Sequence, residues 1–152
     1  RAEGVSFEEI AQSTADMPLH IQYVIIANDL YYLKRGGRVS SVAAAAGTLL
    51  NIKPVLSFTG EGKLTVVEKV RGMKKAFAYA LSKTEKFKPV EENRMMRIVH
   101  TDAEKDAEEL ADMVEKRWGY RPEISIMGPV IGSHVGPGSV SMIWLTKEIR
   151  QD

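Results

Sequence analysis

The 152 residues include no cysteine. That removes disulfides, thiol nucleophiles and thiolate metal sites, and leaves a reducing, cytoplasmic setting as the default expectation. Charge of either sign is not in excess. Lys plus Arg number 21 against 20 Asp plus Glu, so no global field favours nucleic acid or an anionic bilayer. No apolar run nears the ~20 residues of a membrane-spanning helix, so no stable membrane insertion is expected; Val42–Ala46, mostly alanine, already breaks at Gly47. The three histidines, His20, His100 and His134, stand far apart without ligand spacing, and no metal site is expected from them. Neither a Gly-x-x-x-x-Gly-Lys-Ser/Thr phosphate loop nor a Gly-x-Ser-x-Gly nucleophile elbow occurs. The opening Arg1-Ala2-Glu3-Gly4 has no initiator methionine and no apolar signal core, and reads as the interior of a longer polypeptide.

What is present is a globular mix, 44% hydrophobic and 27% charged, of a length suited to one domain. Ser6-Phe7-Glu8-Glu9 has capping-box spacing and opens a helix with Phe7, Ile10 and Ala11 on one face. Tyr23–Ala27 predicts a buried strand, and Asn28 or Asp29 caps a short helix that Gly36-Gly37 stops. Ser40 or Ser41 opens a small-residue helix from Val42 to about Leu50. Pro54–Phe58 and Lys63–Glu68 flank a turn and predict a hairpin. Met73–Phe87 is amphipathic, with Met73, Ala76, Phe77, Ala80 and Leu81 on its inner face. Met95–His100 predicts a strand. Thr101-Asp102-Ala103-Glu104 repeats the capping-box spacing before a helix with Ala103, Ala107, Leu110, Ala111 and Val114 as its stripe. Two last strands, Glu123–Met127 and Ser139–Thr146, flank a glycine-rich loop. The expected fold is α/β of α+β-like character, with a mixed, largely antiparallel sheet of about six strands backed by helices.

Two glycine-rich segments stand out as chemistry. In Leu33-Lys34-Arg35-Gly36-Gly37-Arg38-Val39-Ser40, paired glycines let another group approach the backbone, and Arg38 beside a helix start suits an anion. A helix stop and restart with a surface arginine has the same pattern. In Gly128-Pro129-Val130-Ile131-Gly132-Ser133-His134-Val135-Gly136-Pro137-Gly138, four glycines and two prolines around one histidine predict a rigid close-approach loop between strands. His134 there suits hydrogen bonding to a carboxylate or phosphate, or acid–base work. A lone histidine is more often a core residue, and the glycines shift that weighting towards a ligand. The cations Lys69, Arg71, Lys74 and Lys75 read as a solvated helix start or a docking patch.

In order along the chain, the first glycine segment, Leu49-Leu50-Asn51-Ile52-Lys53-Pro54-Val55-Leu56, Gly60-Glu61-Gly62-Lys63, Lys69-Val70-Arg71-Gly72 and the second glycine segment resemble the carboxy-terminal domain of the DegV family. The resemblance is collinear from about Ile10 to Leu145. It implies that residues 1–152 are one such domain, and that an amino-terminal domain of the same polypeptide completes the protein. It implies a non-catalytic carrier in which two domains clasp one long-chain fatty acid and present its carboxylate to a partner fatty acid kinase for phospholipid synthesis, without a further cofactor. It places Arg38 and His134 at the acid head, with Gly37 and Ser133 beside them. For such a carrier the small and aliphatic residues Ala46, Leu49, Leu50 and Ile52 suit a wall for the tail, a pattern a plain core helix shares, and Arg71 with Lys69 suits docking of the kinase. The rival reading is a phosphate-directed α/β enzyme, a phosphotransferase or phosphohydrolase using His134 and Arg38. Against it, no acidic metal motif and no nucleophile sits beside His134 in sequence.

Overall fold

A computed structural model describes residues 4–37, 51–90 and 95–149. Helix α1 (Phe7–Ala15) starts as its spacing predicts. Ser6 Oγ accepts from Glu9 N at 3.2 Å while Glu9 Oε2 accepts from Ser6 N at 2.8 Å. The Ser6 backbone N–H first, and the Ser6 side chain second, hold the Glu9 carboxyl below its usual range by bonding its ionised form. The apolar face of α1 stays uncovered, with Phe7 77% exposed. A single turn, α2 (Met17–His20), leads into β1 (Ile21–Ile26). Asp29 then caps α3 (Leu30–Arg35), its Oδ1 accepting from Tyr31 N at 2.8 Å, and Gly36 closes it by donating to Tyr32 O.

The predicted hairpin is β2 (Ile52–Phe58) with β3 (Leu64–Arg71), followed by α4 (Met73–Lys86), β4 (Met96–Thr101), α5 (Glu104–Trp118) and β5 (Glu123–Ile126). Helix α6 (Pro129–Val135) and β6 (Ser139–Leu145) close the chain. The strands form one open sheet in the order β3-β2-β1-β6-β4-β5. Only β4 and β5 run parallel, which is where the chain needs the long crossover that α5 provides. This is the mixed, largely antiparallel α/β arrangement expected.

Strand alternation divides the sheet into two unlike faces. Val24, Ile26, Ile98, Met142 and Trp144 point to one face, where α4 brings Ala76, Phe77 and Ala80 and α5 brings Ala107, Leu110, Ala111 and Val114, all buried. Alanines at these contacts let both helices lie close to the strands. Each large side chain buried there, such as Phe77, contributes roughly 1.5–3 kcal/mol. Met73 and Leu81 are only partly buried, and Thr84 joins the stripe instead, accepting from Trp118 Nε1 at 3.0 Å. The opposite face carries Ile25 and Leu56 beneath Leu30 and Leu33 of α3 and Val135 of α6. Phe58, Leu64, Val66 and Val99 on that face are only partly covered. No helix among the described residues is long and apolar enough to cross a membrane.

Two local expectations are corrected. The Thr101–Glu104 spacing does not build a capping box: α5 is capped by Ala103 without a side-chain bond. Thr101 is committed to long-range partners, its Oγ1 donating to Gly136 O at 2.6 Å and accepting from Ser139 N at 3.1 Å. The second glycine segment is not a loop throughout, since Pro129–Val135 is helical. Pro129 occupies the first turn, where its missing N–H has no intrahelical partner to lose. Gly132 sits inside the helix, where a Cβ would lie 3.4 Å from Thr101 Cγ2, at ordinary van der Waals contact.

Candidate functional site

The half-covered face of the sheet holds an open cavity of about 640 Å³, within the ~300–1,000 Å³ typical of small-molecule sites. Its floor is made of alternate residues on three neighbouring strands: Tyr23 and Ile25 of β1, Ser141 and Ile143 of β6, and Val99 of β4. The hairpin closes one side with Phe58, Leu64 and the turn residues Gly62 and Lys63. Tyr23 and Phe58 meet edge to face, their centroids 5.0 Å apart at 75°. Val130, Ile131, His134 and Val135 of α6 form the other wall, with Met127 and Gly37 beside them. Most of this surface is aliphatic or aromatic. The exceptions are Lys63, which is exposed and pairs with Glu61 at 2.5 Å, the half-buried His134, the Tyr23 hydroxyl and the buried Ser141.

The two glycine-rich segments face each other across this wall, because α3 packs on α6. A Cβ on Gly36 would fall 2.7 Å from His134 Nδ1 and 3.4 Å from His134 Cα, so only glycine lets the histidine sit against the end of α3. Gly136, at φ +78°, passes the Tyr32 ring so closely that a Cβ would lie 2.4 Å from Tyr32 Cγ. The chain after α6 is held by β4, where Gly138 N donates to Thr101 O at 2.6 Å, and by the start of β6, where Ser139 Oγ donates to Val135 O at 3.1 Å. His100 is a core histidine, its Nδ1 accepting from Ala103 N at 3.3 Å. These contacts give α6, and so His134, a fixed seat relative to the floor.

Of the residues singled out in the sequence, Gly37 and His134 line the cavity together. Ser133 does not, being exposed with Oγ donating to Val130 O of its own helix at 2.9 Å. Ile52 starts β2, partly buried and paired with Arg71, away from the cavity lining. Lys69 and Arg71 are exposed on β3, an edge strand. Arg38, Ala46, Leu49, Leu50 and the predicted Val42–Leu50 helix lie outside the described residues. Sequence reasoning missed Tyr23, Phe58, Lys63, Val130, Ile131 and Ser141. The available signal was strand alternation, which puts Ser141 on the same face as Ile143 amid an apolar run. Among the described residues no group of three or more His, Asp or Glu is placed to hold a metal ion.

Comparison with known proteins agrees with this geometry. A family model described as uncharacterised protein, DegV family, matches residues 1–147. The DegV domain-containing protein YqaC of Lactococcus lactis is 39% identical over 138 residues, covering 91% of this chain and 49% of that protein. A fatty acid binding DegV family protein from Streptococcus agalactiae superposes with a TM-score of 0.75 at 35% identity, over 96% of this chain and 52% of that one. A DegV family protein from Eubacterium eligens loaded with heptadecanoic acid gives a TM-score of 0.83 at 25% identity, over 95% and 52%. The chain thus spans about half the length of the curated relatives it matches.

Proposed function

This chain belongs to the DegV family, and we propose that it is the carboxy-terminal half of a two-domain carrier that holds one long-chain fatty acid. The observation that carries this reading is the 640 Å³ apolar cavity, whose cationic and imidazole groups, Lys63 and His134, stand at the hairpin turn and on α6. Burying acyl carbon stabilises by about 0.8 kcal/mol per methylene, so ~15 methylenes supply on the order of 12 kcal/mol before entropic costs. A hydrogen bond to the head contributes about 1–3 kcal/mol. Affinity therefore comes from the tail and orientation from the head. An amino-terminal domain, filling the rest of the relatives' length, covers the open side, where Val130 and Ile131 are 75% and 56% exposed. The carrier is non-catalytic and needs no cofactor. The heptadecanoic acid loaded in the Eubacterium eligens relative, and the description of the Streptococcus agalactiae one as fatty acid binding, support this ligand class.

Lipid extraction and mass spectrometry of the protein purified with its amino-terminal half is expected to return long-chain fatty acid near one per molecule. A ligand-free protein that turns over a phosphate ester would establish the enzyme reading instead.

The finer proposal is that the carboxylate is presented to an acyl-phosphorylating kinase. Arg71 and Lys69, exposed on β3 and remote from the cavity lining, serve in it as docking cations. Arg71→Ala should leave lipid content unchanged and lower acyl phosphorylation several-fold. Loss of lipid with normal phosphorylation would reverse the assignment.

A further inference from the structure

Ser141 on the cavity floor is a buried polar side chain to which the carrier reading gives no task. Ser141 lies mid-strand on β6, in register with Ile25 of β1 on one side and Val99 of β4 on the other. All three line the cavity. Ser141 is only 2% exposed, and its hydroxyl has no hydrogen-bond partner. A buried hydroxyl has given up its bonds to water, so an unpaired one is a costly feature unless a ligand atom completes it. Its neighbours on the floor, Ile25, Val99 and Ile143, offer no acceptor or donor from their side chains.

We propose that Ser141 is a specificity residue that recognises an oxygen substituent, a hydroxyl or oxo group, carried partway along the acyl chain of the ligand. This rests on the carrier reading and narrows its substrate class. The carboxylate head fits the position poorly. An ionised group on an apolar floor with one neutral hydroxyl would be under-solvated, whereas Lys63 and His134 elsewhere on the wall suit it. A plain methylene over Ser141 leaves the hydroxyl unpaired after binding as before it. A chain oxygen pairs with it, and that bond is made by the oxygenated ligand alone.

The test uses the protein with its amino-terminal half, stripped of lipid, and compares stearic acid with monohydroxystearic acids substituted at successive carbons. One position of the hydroxyl is expected to bind roughly tenfold tighter than its neighbours in the series. Ser141→Ala should flatten that peak, with cooperative thermal unfolding of the variant reporting that it is folded. A flat profile in the unsubstituted protein overturns the proposal whatever the variant does, and so does a peak that survives Ser141→Ala. Failure of every acid, stearate included, would instead bring down the carrier reading itself, and is recognisable as such.

Discussion

Produced alone, the 152-residue chain is expected to fold and yet bind a long-chain fatty acid about ten-thousandfold more weakly than the protein with its proposed amino-terminal half. Folding follows from the face covered by α4 and α5, whose core from Val24 to Trp144 is complete within this chain. Weak binding follows from the other face. There α3 and α6 cover Ile25 and Leu56 but leave Phe58, Leu64, Val66 and Val99 partly open. If about half the acyl surface stays in water, roughly 6 of the 12 kcal/mol expected from the tail are lost, which corresponds to about four orders of magnitude in affinity. Cooperative thermal unfolding together with calorimetric titration of palmitate or oleate measures both halves of the statement. Submicromolar binding by the isolated, monomeric chain would contradict it.

The second large effect concerns His134. Replacing it with alanine in the two-domain protein should weaken binding of the free acid by about 5- to 100-fold, the equivalent of one hydrogen bond to a charged group. The methyl ester of the same chain should lose much less, because it presents no charged head. Either protonation state of the imidazole has an N–H to donate, so the role does not depend on a charged ring. Geometry supports the assignment. His134 lines the cavity from the last turn of α6, and its ring is set against Gly36 at the end of α3. Equal losses for acid and ester would make His134 a packing element of the α3–α6 contact, and the head-group role would fall.

The elements of this fold were legible in the sequence wherever the signal is local. The capping box at Ser6 and Glu9 is formed as its spacing predicts, because both partners are three residues apart and need nothing else. The hairpin, the buried β1 and the amphipathic α4 and α5 follow from periodicity, since the period of the apolar residues decides which face is removed from water. Gly37 and His134, which the family resemblance put at one head site and no rule of spacing brings together, both line the cavity.

Where distant segments compete for one group, the tertiary structure decided. Thr101 has the spacing of a helix cap, yet its hydroxyl serves Gly136 and Ser139, more than thirty residues on, because those buried backbone groups have a greater need of a partner than an exposed helix start. The Gly128–Gly138 segment reads as loop from its glycines, but Gly136 and Gly138 answer to the close approach of Tyr32 and Asn28, and Pro129–Val135 before them coils into a helix. The cavity floor is likewise invisible locally. Ile25, Ser141 and Val99 come from strands far apart in the chain and become neighbours only through the β1-β6-β4 order. Sequence alone thus marked most of the residues that β1, α4 and α5 withdraw from water; which of them face a ligand and which face a helix depended on strand order, a property no single segment carries.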